Sequence, residues 1–123
     1  MADVSADLTL RAAYASVVED EEEGLLFIGF AEGEDETEPY LLFRQALSGG
    51  PVELELGDET FTAEDAVETV AETATGLTLT LRPAARAALG WLATVEIRLG
   101  PLCEDAEPAV AALREMLGPQ VFP

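Results

Sequence analysis

The chain has 123 residues, with 25 acids against 6 bases, all arginine, no histidine and a formal net charge of −19. Apolar residues make up 49% and mean hydropathy is +0.18, which describes one foldable domain rather than a disordered acidic tail. Such a charge repels nucleic-acid phosphates and anionic membranes, and without histidine there is no Ser-His-Asp or Cys-His nucleophile and no His-ligated zinc.

Asp7 to Val18 alternates with period two, Leu8, Leu10, Ala12, Tyr14 and Val18 on one parity, which predicts a strand with that parity inward. The charged turn Glu19-Asp20-Glu21-Glu22-Glu23-Gly24 follows. Leu25 to Ala31 is apolar on both parities and predicts a central strand covered on both faces. Residues 32–39 form a second acidic loop, and Tyr40 to Ala46 is another mostly apolar strand. After the turn cluster Ser48-Gly49-Gly50-Pro51, Val52 to Leu56 alternates cleanly, and a short strand is expected over Glu59 to Thr62.

Residues 63–74 read two ways. Ala63, Ala66, Val67, Val70, Ala71 and Ala74 have helical spacing, and Thr62 with Asp65 resembles a capping pair. The β-branched Val67-Glu68-Thr69-Val70 and the hairpin-length Ala74-Thr75-Gly76 favour a strand from Val67 to Thr73 paired with Leu77 to Leu81. The last third is plainer. Leu77 to Leu81 is a half-buried strand, Pro83 opens a short helix that stops at Gly90, and Thr94 to Leu99 is a strand. A final helix runs from about Asp105 to Leu117 and ends at Gly118-Pro119. The pattern is α+β: a mainly antiparallel, twisted β-sheet with a short helix after Leu81 and a C-terminal helix. One domain spans residues 1–123, with 1–6 expected to fray, 7–117 as core and 118–123 as a tail.

Residues 19–38 hold ten of the 25 acids, and no base occurs between Arg11 and Arg44. Glu21, Glu22, Glu23, Glu34, Asp35 and Glu36 are therefore candidates for contact with a basic partner, against the plainer reading of a solvated surface. Glu53, Glu55 and Glu96 lie on polar strand parities, with Arg44 and Arg98 available to pair. Glu34-Asp35-Glu36 and Glu104-Asp105-x-Glu107 lack the spacing of a calcium loop, and no catalytic pair, metal site or cofactor motif stands out. The lone Cys103 reads as a buried, inert thiol and points to a reducing, cytoplasmic setting. No secretory leader or membrane span is legible. Trp91 reads as a cover between the short helix and the sheet, with an exposed binding anchor as the alternative, and Phe122 is either docked or frayed.

The words Gly76-Leu77-Thr78-Leu79-Thr80-Leu81-Arg82-Pro83-Ala84-Ala85-Arg86-Ala87-Ala88-Leu89-Gly90 and Val95-Glu96-Ile97-Arg98-Leu99 resemble the immunity protein 10 family. Leu25-Leu26-Phe27-Ile28-Gly29-Phe30-Ala31 and Tyr40-Leu41-Leu42-Phe43-Arg44-Gln45 fit that family's first core strands, so the likeness covers roughly Leu8 to Leu117. The resemblance implies an inhibitor of a bacterial polymorphic toxin, and with the charge it implies a basic toxin blocked sterically and electrostatically, without catalysis or cofactor. The alternative is an acidic homo-oligomeric scaffold domain without a toxin partner.

Overall fold

The computed structural model describes residues 6–35 and 37–123. Glu36 and most of the segment expected to fray lie outside the described residues. Eight strands follow in chain order: β1 (Leu8–Asp20), β2 (Leu25–Ala31), β3 (Tyr40–Ala46), β4 (Glu53–Leu56), β5 (Thr62–Glu64), β6 (Val67–Thr73), β7 (Gly76–Leu81) and β8 (Thr94–Glu104). A 3-10 helix spans Pro83–Leu89, and the one α-helix among the described residues, α1, spans Ala106–Leu117.

The strands form one mixed sheet in the order β5-β4-β3-β2-β1-β8-β7-β6. Every pairing is antiparallel except β1 with β8, which is parallel. The α+β expectation holds, but the sheet is mixed rather than purely antiparallel. The long β1 is the hinge of the architecture. Its first half, Leu8 to Tyr14, pairs with β8, and its second half, Tyr14 to Asp20, pairs with β2.

Only Asp65 and Ala66 separate edge strand β5 from edge strand β6, so the sheet must curl to bring its two margins together. Asp65, in the left-handed region at φ 50°, donates its N–H to Val52 O at 2.8 Å, and Arg82 N–H reaches Ala66 O at 2.7 Å. The curled inner face supplies Leu10, Ile28, Phe43, Leu79 and Ile97, and α1 with the C-terminal segment supplies Ala109, Leu113 and Phe122. Each large side chain so buried contributes about 1.5–3 kcal/mol.

Of the two readings of residues 63–74 the strand holds: β6 covers Val67–Thr73, paired with β7, and β5 covers Thr62–Glu64, later than the short strand expected over Glu59 to Thr62; two other expectations need correction. The register shifts between Val67 and Thr69, so Val67 and Val70 both point inward three residues apart. That spacing imitates a helix. In β1 the register shifts between Ala12 and Tyr14. Ala15 is buried, and Tyr14 and Val18 turn to the outer face instead of sharing the inward parity of Leu10. Finally, β2 is covered on one face only. Ile28 and Phe30 are buried, whereas Leu25, Phe27 and Gly29 stay half-exposed.

Candidate functional site

The β1–β2–β3 meander fixes where the acidic loops go, because successive antiparallel turns fall at opposite ends of their strands. Glu21, Glu22 and Glu23 sit in the β1–β2 turn, exposed. Asp20 organises that turn: its Oδ1 accepts from Glu23 N–H at 3.1 Å and its carbonyl from Gly24 N–H at 2.8 Å. Glu34 and Asp35 lie in the β2–β3 loop at the other end of β2. The structure therefore does not gather the expected carboxylates into one cluster.

It adds others instead. The β4–β5 turn comes to the same end as the β2–β3 loop, and the two enclose an open groove of about 570 Å³. Glu34, Asp35 and Glu38 face it from one side, Asp58 and Glu59 from the other, with Tyr40 and Leu42 also lining it. Both loops use one device. Asp35 Oδ1 accepts from the N–H and Oγ1 of Thr37, each at 2.9 Å, and Asp58 Oδ1 accepts from the N–H and Oγ1 of Thr60, each at 2.8 Å. Those backbone and side-chain bonds hold both carboxyls below the usual range, so they keep fixed negative charge at neutral pH. Asp58, Glu59 and Glu38 were not among the sequence candidates. The signal lay in the repeated word Asp-Glu-Thr at 35–37 and 58–60.

Beside the groove, cross-strand neighbours on the outer face of β3 and β4 form a polar network. Arg44 Nε donates to Glu53 Oε1 at 2.7 Å, its Nη2 donates to Glu53 and, at 3.3 Å, to Glu55, and the Tyr40 hydroxyl donates to Glu55. Glu55 is only 9% exposed, the one charged residue buried among the described residues, and it survives burial because both carboxylate oxygens are taken. Burial alone would lower the Arg44 pKa, but the hydrogen bonds and charges of Glu53 and Glu55 outweigh it and raise it. The pairings of Arg44 with Glu53 and Glu55, and of Arg98 with Glu96, follow the sequence expectation.

The hydrogen bond to Glu55, with burial and nearby carboxylates, pushes the Tyr40 phenol up from 10.0 to about 12. The folded chain thus holds this proton more tightly than the unfolded one. Its stabilising contribution is complete below pH 10 and is lost as pH rises through about 12. Phenolate absorbance during an alkaline titration should show a step near pH 12 that Tyr40→Phe removes. If the step that Tyr40→Phe removes lies at pH 10 instead, the Tyr40–Glu55 bond does not form.

Two other sequence candidates change character. Trp91 is 77% exposed and does not cover the sheet. Gly90 and Trp91 take consecutive left-handed conformations, φ 72° and 66°, and this turns the indole outward. Cys103 is half-buried near the end of β8 rather than fully buried. Desolvation, then the charges of Asp105 and Glu104, raises its pKa and keeps it a weakly nucleophilic thiol. Among the described residues no three Asp, Glu, Cys or His side chains converge closely enough to hold a metal ion. No helix there is long and apolar enough to cross a membrane.

The arrangement places exposed carboxylates at both ends of the β1–β2–β3 meander. A family model described as Immunity protein 10 matches residues 11–107. The chain belongs to the immunity protein 10 family. The match runs from β1 into the first turn of α1, so the acidic loops, the polar network and the groove all lie within the immunity protein 10 region. No curated protein and no solved structure matches the chain.

Proposed function

We propose that this immunity protein binds a cognate, basic bacterial toxin of a polymorphic toxin system in the cytoplasm and neutralises it by occupying it. It performs no chemistry and needs no cofactor. The family match over residues 11–107 carries this reading. The net charge of −19 supports the basic partner, because a strongly negative surface steers cations into encounter and speeds association. In this reading Glu21, Glu22 and Glu23 act at one end of the strands and Glu34 and Asp35 at the other, with Glu36, outside the described residues, as the sixth candidate.

The test is the association rate of the protein encoded by the adjacent open reading frame, followed as ionic strength rises. The rate should fall steeply with salt. Reversing Glu21, Glu22 and Glu23 to lysine should slow association about tenfold or more at low salt. Tight binding with a salt-independent rate would contradict the electrostatic part, and no effect of the reversal would move the contact to the other end.

A further inference from the structure

The sequence of Leu25–Ala31 is apolar on both parities, yet the fold covers only one of its faces. The same holds for β3, where Leu41 and Phe43 are buried inside while Tyr40 and Leu42 are half-exposed outside. The register aligns these outward residues. Val18, Phe27 and Arg44 form one cross-strand row, Ser16, Gly29 and Leu42 the next, and Tyr14, Ala31 and Tyr40 the third. The middle row has no side chain at Gly29, which leaves a notch of about 190 Å³ bordered by Tyr14, Ser16, Ala31, Tyr40 and Leu42.

The ends of this apolar strip are charged. The Glu21–Glu23 turn stands at one end and the groove of Glu34, Asp35, Asp58 and Glu59 at the other. The seven residues of β2 separate the two ends by about 20 Å at ~3.3 Å per residue. An apolar centre with a polar rim is the anatomy of a protein–protein interface. The charge decides what the face accepts. A second copy would press carboxylate rims of the same sign together, and an anionic lipid surface would be repelled.

We infer that the outer face of β1, β2 and β3 is the docking surface of this protein, and that its occupant is a protein presenting an apolar side chain flanked by two Lys/Arg patches about 20 Å apart. The apolar side chain enters the Gly29 notch and supplies affinity, and the acidic ends supply rate and orientation. The identity of that partner as the toxin rests on the proposed function; the choice of face does not.

Two neighbouring valines give the test. Val18 is 51% exposed on this face, and Val17, 42% exposed, points to the opposite face of the same strand. Val18→Arg and Val17→Arg therefore change charge equally and differ in the face they alter. Gly29→Val is the second variant, since a Cβ there meets the Ser16 and Leu42 side chains, Oγ at 3.2 Å and Cδ1 at 3.5 Å, and reaches backbone only at Leu41 O, 3.9 Å away. Binding of the adjacent reading frame's protein is measured by calorimetry, with thermal melts confirming folding and sedimentation reporting the mass of the free chain. Val18→Arg and Gly29→Val should each weaken binding about 30-fold or more, and Val17→Arg less than about threefold. Wild-type binding that neither Val18→Arg nor Gly29→Val weakens overturns the docking face and leaves the proposed function standing. Self-association of the free chain that Val18→Arg abolishes overturns the choice of occupant. No binding by the wild-type chain overturns the proposed function, and the inference falls with it.

Discussion

Gly76→Ala should leave the chain largely unfolded. Gly76 opens β7 directly after the turn from β6, at φ 153°, a region that residues with a side chain rarely enter. A Cβ built there would stand 1.9 Å from Ile97 O and 3.0 Å from Leu99 N. Both atoms are backbone of β8, so no rotamer change relieves the overlap. The β7–β8 ladder would have to open at its Gly76–Arg98 pair, beside the buried Leu77 and Ile97. Strain together with a lost ladder end costs on the order of 4 kcal/mol or more, against about 5–15 kcal/mol for the whole stability of a typical domain. Urea unfolding followed by circular dichroism should show a collapsed or absent transition. Gly100→Ala is the comparison, because nothing lies within 4 Å of its Cβ position, and it should leave the midpoint almost unchanged. A Gly76→Ala protein as stable as wild type would refute the β6–β7–β8 register.

Phe122→Ala should cost about 3–5 kcal/mol, the range for emptying a buried aromatic site. Phe122 is 1% exposed, although it lies one residue from the last of the sequence. Several contacts hold it. Val70 in edge strand β6 donates its N–H to Val121 O at 2.8 Å, which also covers part of that edge. The Arg114 guanidinium lies 4.1 Å over the Phe122 ring, reaches Pro123 O at 3.3 Å and pairs with Glu72 at 2.8 Å. Of the two readings of Phe122, docked or frayed, the docked one holds, and its ring joins the core from within the segment expected as a tail. Denaturant midpoints of wild type and variant measure the cost. A loss under about 1 kcal/mol would mean that the segment does not dock.

The sequence reading succeeded where period-two alternation is uninterrupted. Leu77 to Leu81 and Val95, Ile97 and Leu99 pack inward as their pattern requires. It failed at Ala12–Tyr14, where a bulge breaks the period and one extra residue reverses every later side chain, and the bulge at Val67–Thr69 is what left helix and strand in competition there. The parallel β1–β8 pairing joins residues nearly ninety positions apart, which local patterns do not encode. The acidic candidates were visible as charge. Their separation to opposite ends follows from the meander, but the meeting of Asp35 with Asp58 depends on the β3–β4–β5 register. The outward apolar residues of β2 were read as interior because apolarity does not distinguish a covered face from one that awaits a partner.

The most direct test of the account is growth of cells expressing the protein of the adjacent open reading frame, with and without this chain. The account predicts arrest in its absence and recovery in its presence, with the two proteins recovered as a stoichiometric complex. Persistent arrest with this chain folded and in excess would contradict it.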